Sequence, residues 1–134
     1  MRLTLDFALD LIAAAQEKAK EIGVPMVIAV VDAGGNLVAQ HRMDDALLVS
    51  IDISLNKAYT AVAVKLPTNE LAPLAHPGGP LFGISNADRG RVVVFGGGIP
   101  LKHNDAIIGG IGVSGGTVEQ DIICATAATV ILEK

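Results

Sequence analysis

A chain of 134 residues has the length of one domain, and no linker or shift in composition divides it. Hydrophobic residues make up 51% of it and aromatics only 3%, so its core has to be assembled from Val, Ile, Leu and Ala. A net charge of -4 with no cluster of Lys and Arg argues against nucleic acid as a partner, and the longest apolar stretches, residues 26–31 and 106–113, fall far short of the ~20 residues of a bilayer span.

Near the N-terminus, Asp6 and Asp10 interrupt the apolar core that a secretory signal requires, which predicts a cytoplasmic protein. Thr4 caps a helix whose apolar positions Phe7, Ala8, Leu11, Ile12, Ala15, Ala19 and Ile22 keep the three-and-four spacing of one buried face, and Gly23 and Pro25 stop it. Residues 26–31 and 37–42 then read as two strands of a hairpin around the turn cluster at 32–36. Residues 48–64 read as a second helix, with Ile51, Leu55, Ala58, Ala61 and Val62 on one face. A short helical turn starts at Pro67, and His76, Pro77, Gly78, Gly79 and Pro80 break any regular structure. Residues 92–95 are predicted as a strand, cut by Gly96, Gly97 and Gly98 before residues 99–102; Asn104 and Asp105 turn the chain into a further strand at 106–113. Thr117 and Gln120 stand three apart, the spacing of a capping box, and open a terminal helix. Hairpins at both ends of the order, with helices from both termini, predict an α+β layer fold on an antiparallel sheet.

Three glycine clusters mark positions of positive φ or close approach: Gly34 and Gly35; Gly96 to Gly98; and Gly109 and Gly110 through Gly115 and Gly116. They serve either tight turns and bulges or a ligand. The Ser114-Gly115-Gly116-Thr117 segment joins a strand to a helix start, where unpaired N–H groups suit an anion or are met by capping, with Glu119 and Asp121 supplying charge. His41, His76 and His103 lack zinc-ligand spacing, and the single Cys124, in an apolar helical run, reads as a core thiol, so no structural zinc is expected. Each histidine, Met43 or Tyr59 has the chemistry of an axial haem ligand, and each also suits an ordinary loop or core position. Arg42 and Lys57 are cations suited to a carboxylate; Arg42 with Asp44, or Lys57 with Asp52, would equally form surface pairs. None of Ser50, Ser54, Ser85 or Ser114 stands in a G-x-S-x-G frame.

The strings VVDAGGNLVAQHRMD (from Val30), SIDISLNKAYTA (from Ser50), FGGGIPL (from Phe95) and IGGIGVSGGTVEQD (from Ile108) resemble those of the GlcG/HbpS family, which includes the C-terminal domain of PduO and OrfY-like proteins of diol and glycerol utilisation operons. The resemblance covers essentially the whole chain. It implies a profilin-like α/β/α fold with a five-stranded antiparallel sheet, and assembly into a dimer or a larger homo-oligomer up to an octamer. It also implies binding of haem or another tetrapyrrole such as a corrinoid, in an accessory role in diol, glycerol or glycolate utilisation.

The residues themselves place a small-molecule cleft between Arg42, Asp44 and Lys57 on one wall and Gly97, Gly98, Gly115, Gly116 and Thr117 on the other. An enzyme acting on a short hydroxy- or keto-acid and a purely structural oligomeric module are the competing expectations. Self-association is expected on physical grounds too, because positive mean hydropathy leaves more apolar side chain than one small domain buries.

Overall fold

Helix α1 (Leu5–Ile22) begins where Thr4 Oγ1 accepts the Phe7 N–H at 3.1 Å, and it ends where Gly23 turns left-handed at φ 72°. The structure is a computed structural model and describes residues 1–133. After α1 come β1 (Val27–Asp32), β2 (Leu37–Arg42), α2 (Val49–Val64), α3 (Thr68–Ala75), β3 (Gly98–His103), β4 (Ala106–Ser114) and α4 (Val118–Thr129). Single 3-10 turns lie at Ile84–Asn86, Asp88–Gly90 and Val130–Glu133.

Both hairpins form for reasons local to their turns. Asp32 Oδ1 accepts the Gly34 and Asn36 N–H groups at 2.9 and 3.0 Å, folding β1 back into β2. Asn104 and Asp105 both take positive φ, 51° and 65°, which matches the twist of the β3–β4 hairpin. Antiparallel pairing of β1 with β4 joins the hairpins into one sheet of order β2-β1-β4-β3. The sheet therefore has four strands among the described residues, not five.

Residues 92–95, read as a strand from their β-branched run, form none. Their backbone is engaged by a helix side chain: Thr60 Oγ1 accepts the Val93 N–H at 3.0 Å and donates to the Arg91 carbonyl at 3.1 Å. A hydroxyl on α2 has taken the partners a neighbouring strand would have offered.

The two faces of the sheet are built differently. Ile28, Val30, Ile111 and Val113 project toward α1 and α4, where they meet Leu11, Ile12, Ala15, Cys124 and Ala128 in one aliphatic core. Burying each such Leu or Ile stabilises the fold by ~1.5–3 kcal/mol. The opposite face carries Ala29, Gly112 and Gly98 abreast, and α2 lies directly on them. A methyl at Gly112 would overlap the Ser54 carbonyl and come within 2.6 Å of Ala58 N.

That close seating changes which residues α2 buries. Its inward face is Ser50, Ser54, Lys57, Ala58 and Ala61, while Ile51 is 36% exposed and Leu55 is only half-buried. The expected face of large apolar side chains is replaced by small ones because no gap remains to fill.

Candidate functional site

Lys57 lies on the small-residue face of α2 with its side chain wholly buried. Its ammonium donates to Asp121 Oδ2 at 2.8 Å and to the Val113 carbonyl at 2.9 Å, and lies 4.9 Å from the centre of the Phe95 ring. Asp121, on α4, is 4% exposed at its side chain, and its Oδ1 accepts the Gly116 N–H at 2.9 Å. Lys57 thus links the helix on one face of the sheet to a helix on the other.

The glycines make this link feasible. A methyl at Gly97 would fall 2.7 Å from Lys57 Nζ, and Gly97 has φ 125°, so only glycine suits the position. Burial pushes the Lys57 ammonium below its ordinary pKa and the Asp121 carboxyl above its own; in each case desolvation outweighs their mutual hydrogen bond and attraction. The anion suited to the N-terminus of α4 is supplied from within the chain, by Asp121. Thr117 and Gln120 complete the predicted capping box there, at 3.2 and 2.9 Å.

The structure accordingly gathers Lys57, Gly97 and Gly116 around Asp121. Gly98 donates to Thr68 Oγ1 at 2.9 Å beneath α2, Gly115 packs on Pro25 and Met26, and Thr117 is an exposed cap. Arg42 and Asp44 lie elsewhere, at the exposed end of β2, where Arg42 Nη2 donates to the Ala46 carbonyl at 2.9 Å. A cavity of about 400 Å³ there is lined by Arg42, Met43, Asp44 and Asp45. Among the described residues neither Arg42–Asp44 nor Lys57–Asp52 forms an ion pair; Asp52 accepts from Asn56 Nδ2 at 3.1 Å instead. Asp121 is the residue sequence reasoning missed as a partner. A lysine at three-and-four spacing with Ser50, Ser54, Ala58 and Ala61 was the available signal, since a cation on a core face requires a buried anion.

The possible iron ligands differ in their surroundings. His41, exposed on the edge strand β2, donates Nδ1–H to Gln16 Oε1 at 2.7 Å, which fixes the tautomer that leaves Nε2 as an acceptor. A metal-binding histidine is oriented by such a bond on its second nitrogen. His76 bonds its neighbour, the Pro77 carbonyl, at 2.9 Å, and Met43 Sδ accepts the Met26 N–H at 3.4 Å. Tyr59 donates its hydroxyl to Asp88, with the Arg91 guanidinium 3.5 Å from its ring centre. Burial pushes the Cys124 thiol up to about 11, away from a thiolate ligand. One haem requirement is therefore met, an oriented histidine: His41 lies on the α1 face of β2, while Arg42, the next residue along the strand, faces the α2 side.

Two larger cavities lie outside this edge. A groove of about 690 Å³ runs between α1 and α4 past Ala14, Ile122, Ile123, Thr126 and Val130, with Glu17, Lys18 and Glu21 also lining it. A cavity of about 670 Å³ is formed by residues 1–5 with the β1–β2 turn and the start of β4. Neither these two nor the depression at Arg42 reaches Lys57 or the glycines around it. No described helix is long and apolar enough to cross a membrane.

Residues 3–129 match the model of a family described as haem degrading protein HbpS-like. An uncharacterized 15.0 kDa protein of the dhaT–dhaS intergenic region of Citrobacter freundii is 48% identical, over 94% of this chain and 89% of its own length. The corrinoid adenosyltransferase PduO of Salmonella typhimurium is 47% identical over 86% of this chain, which spans only 34% of that longer protein. A crystal structure of a complex of PduOC with haem superposes with a TM-score of 0.94 at 43% identity, covering 97% of this chain and 94% of the other. By the extent and order of these matches, the chain belongs to the HbpS-like family.

Proposed function

We propose that this protein is a tetrapyrrole-binding accessory protein whose ligand is haem, with a corrinoid as the alternative guest, serving diol, glycerol or glycolate utilisation. The observation that carries this reading is the likeness, over nearly the whole chain, to the solved complex of PduOC with haem. Within this chain, His41 would hold the iron through Nε2 on the α1 side of β2. When bound, haem would supply redox and ligand-exchange chemistry at its iron; the protein's part is to orient His41 through Gln16. Asp44, in the same depression as Arg42, sets the charge at that end.

A hydroxy-acid enzyme gains no comparable support. Its carboxylate clamp requires Arg42 and Lys57 in one cleft, and the Lys57 ammonium is engaged by Asp121 and Val113. The proposed assembly is a homo-oligomer, from a dimer up to an octamer, in the cytoplasm.

Titration of the purified apoprotein with hemin tests the reading. A saturable Soret shift at a fixed stoichiometry is expected, and His41→Ala should weaken it at least tenfold while His76→Ala leaves it unchanged. Absence of any saturable shift overturns haem binding. An unaltered shift in His41→Ala overturns the ligand assignment.

A further inference from the structure

Tyr59, on α2, is held by contacts from two other parts of the chain. Its ring lies against Gly35 in the β1–β2 turn, where a methyl would come within 2.9 Å of Cδ1, and its hydroxyl donates to Asp88. The Arg91 guanidinium is laid over the ring, 3.5 Å from its centre. Thr60, the next residue of α2, pins the same stretch of chain by donating to the Arg91 carbonyl and accepting the Val93 N–H, at 3.1 and 3.0 Å. Backbone and side chain of Arg91 are thus both fixed to α2.

What this leaves free is the donor edge of the guanidinium. Among the described residues no hydrogen bond or ion pair engages the side-chain N–H groups of Arg91, whereas Arg42 spends its own on the Ala46 carbonyl. A half-buried arginine held flat on a ring has already lost the side-chain freedom that binding would cost, and its coplanar N–H pairs match the two oxygens of an oxyanion. Beside it, Asp88, Arg89 and Gly90 take three successive left-handed conformations, φ 53°, 60° and 80°, of which only the last falls on a glycine. That turn keeps Arg89 Nη2 3.9 Å from Asp88 Oδ1. The Asp88 hydrogen bond raises the Tyr59 pKa, and the charges of Arg91 and Arg89 both reach the phenol to oppose that shift.

We infer that Arg91 on its Tyr59 platform, with Arg89 beside it, binds the carboxylate of a small organic acid. Charge selects this class of anion. Two guanidinium charges less the Asp88 carboxylate leave one positive charge, which a carboxylate neutralises and a phosphate dianion overshoots. Tyr59 belongs to α2 and His41 lies on the α1 side of the sheet, so this site and the proposed iron ligand are separate.

No tryptophan and no second tyrosine obscures Tyr59, whose fluorescence therefore reads the platform. The full chain, free of hemin at pH 8, is titrated with sodium propionate, propionamide and inorganic phosphate at matched ionic strength. Propionate should give a saturable change with a millimolar Kd, propionamide none, and phosphate binding at least about tenfold weaker. Arg91→Lys keeps the charge but loses the planar fork, and should weaken propionate at least about tenfold with an unchanged circular dichroism spectrum. Arg89→Gln, on a side chain 84% exposed, leaves the fold untouched and should weaken propionate about threefold, whereas Lys20→Gln, on α1, should have no effect. No saturable change with propionate, an equal response to propionamide, or unaltered binding in Arg91→Lys would each overturn the inference. Equal effects of Arg89→Gln and Lys20→Gln would overturn it as well, whatever Arg91→Lys does to folding. Tighter binding of phosphate than of propionate would overturn the carboxylate assignment.

Discussion

Removing either member of the Lys57–Asp121 pair should unfold this protein far more readily than removing both. The ammonium is fully buried and bonds one carboxylate and one carbonyl, so Asp121→Asn strands a desolvated charge. Breaking such a pair costs about 3–5 kcal/mol. Lys57→Met should cost less, at the lower end of that range, because Asp121 keeps the Gly116 N–H and the N-terminus of α4. Lys57→Met with Asp121→Leu removes both charges together and forfeits the bonds to the Gly116 N–H and the Val113 carbonyl, about 1 kcal/mol each. Urea unfolding of the four proteins, extrapolated linearly, gives the coupling through a double-mutant cycle. The expected coupling is at least ~2 kcal/mol, a large share of the ~5–15 kcal/mol that holds a domain together. Additive effects, or a cost below ~1 kcal/mol for Asp121→Asn, would refute the claim that burial makes this pair obligatory.

Three further outcomes are expected. Gly112→Ala should cost ~3 kcal/mol or more, because its methyl meets α2 backbone, whereas Gly116→Ala presses on the ends of Gln120 and Met26 and should cost ~1 kcal/mol; thermal unfolding ranks the two. Cys124 should resist alkylation at pH 8 in the folded protein. Its folded pKa of about 11 exceeds the ordinary 9.0, so the folded state holds the proton longer, and this contribution to stability is complete below pH 9 and disappears as pH rises through 11; a Cys124→Ala comparison of stability across that window reads it. Tyr59 is the single tyrosine in a chain without tryptophan, so its ultraviolet titration is unobstructed. The hydrogen bond to Asp88 raises its pKa above the ordinary 10.0, and Asp88→Asn should lower it while Arg91→Met raises it further.

The elements that could be read from sequence carry their own boundary chemistry. Helix α1 has Thr4 at one end, Gly23 at the other and an apolar stripe between, and α4 has its capping box; none of these needs a distant partner. The inward face of α2 depends on what lies beneath it. Periodicity selects Ile51 and Leu55 when the facing surface is taken to be ordinary, and the row of Ala29, Gly112 and Gly98 makes it extraordinary. Residues 92–95 have the composition of a strand, yet Thr60 holds them from more than thirty positions away. The same holds at the candidate sites. Lys57 was visible as a cation and the glycines as special positions, but Asp121, 64 residues further on, decides what both are for.

A helix resting on bare backbone leaves no room for inserted atoms, so the α2 side of the sheet behaves as a sealed seam. Any enlargement along Ala29, Gly112 and Gly98 would pry the layers apart before it opened a chamber. New guests can therefore be accommodated only by remodelling the periphery, at strand margins, outer grooves and contacts between copies. Ligand preference in a body of this design can drift while its interior stays constant.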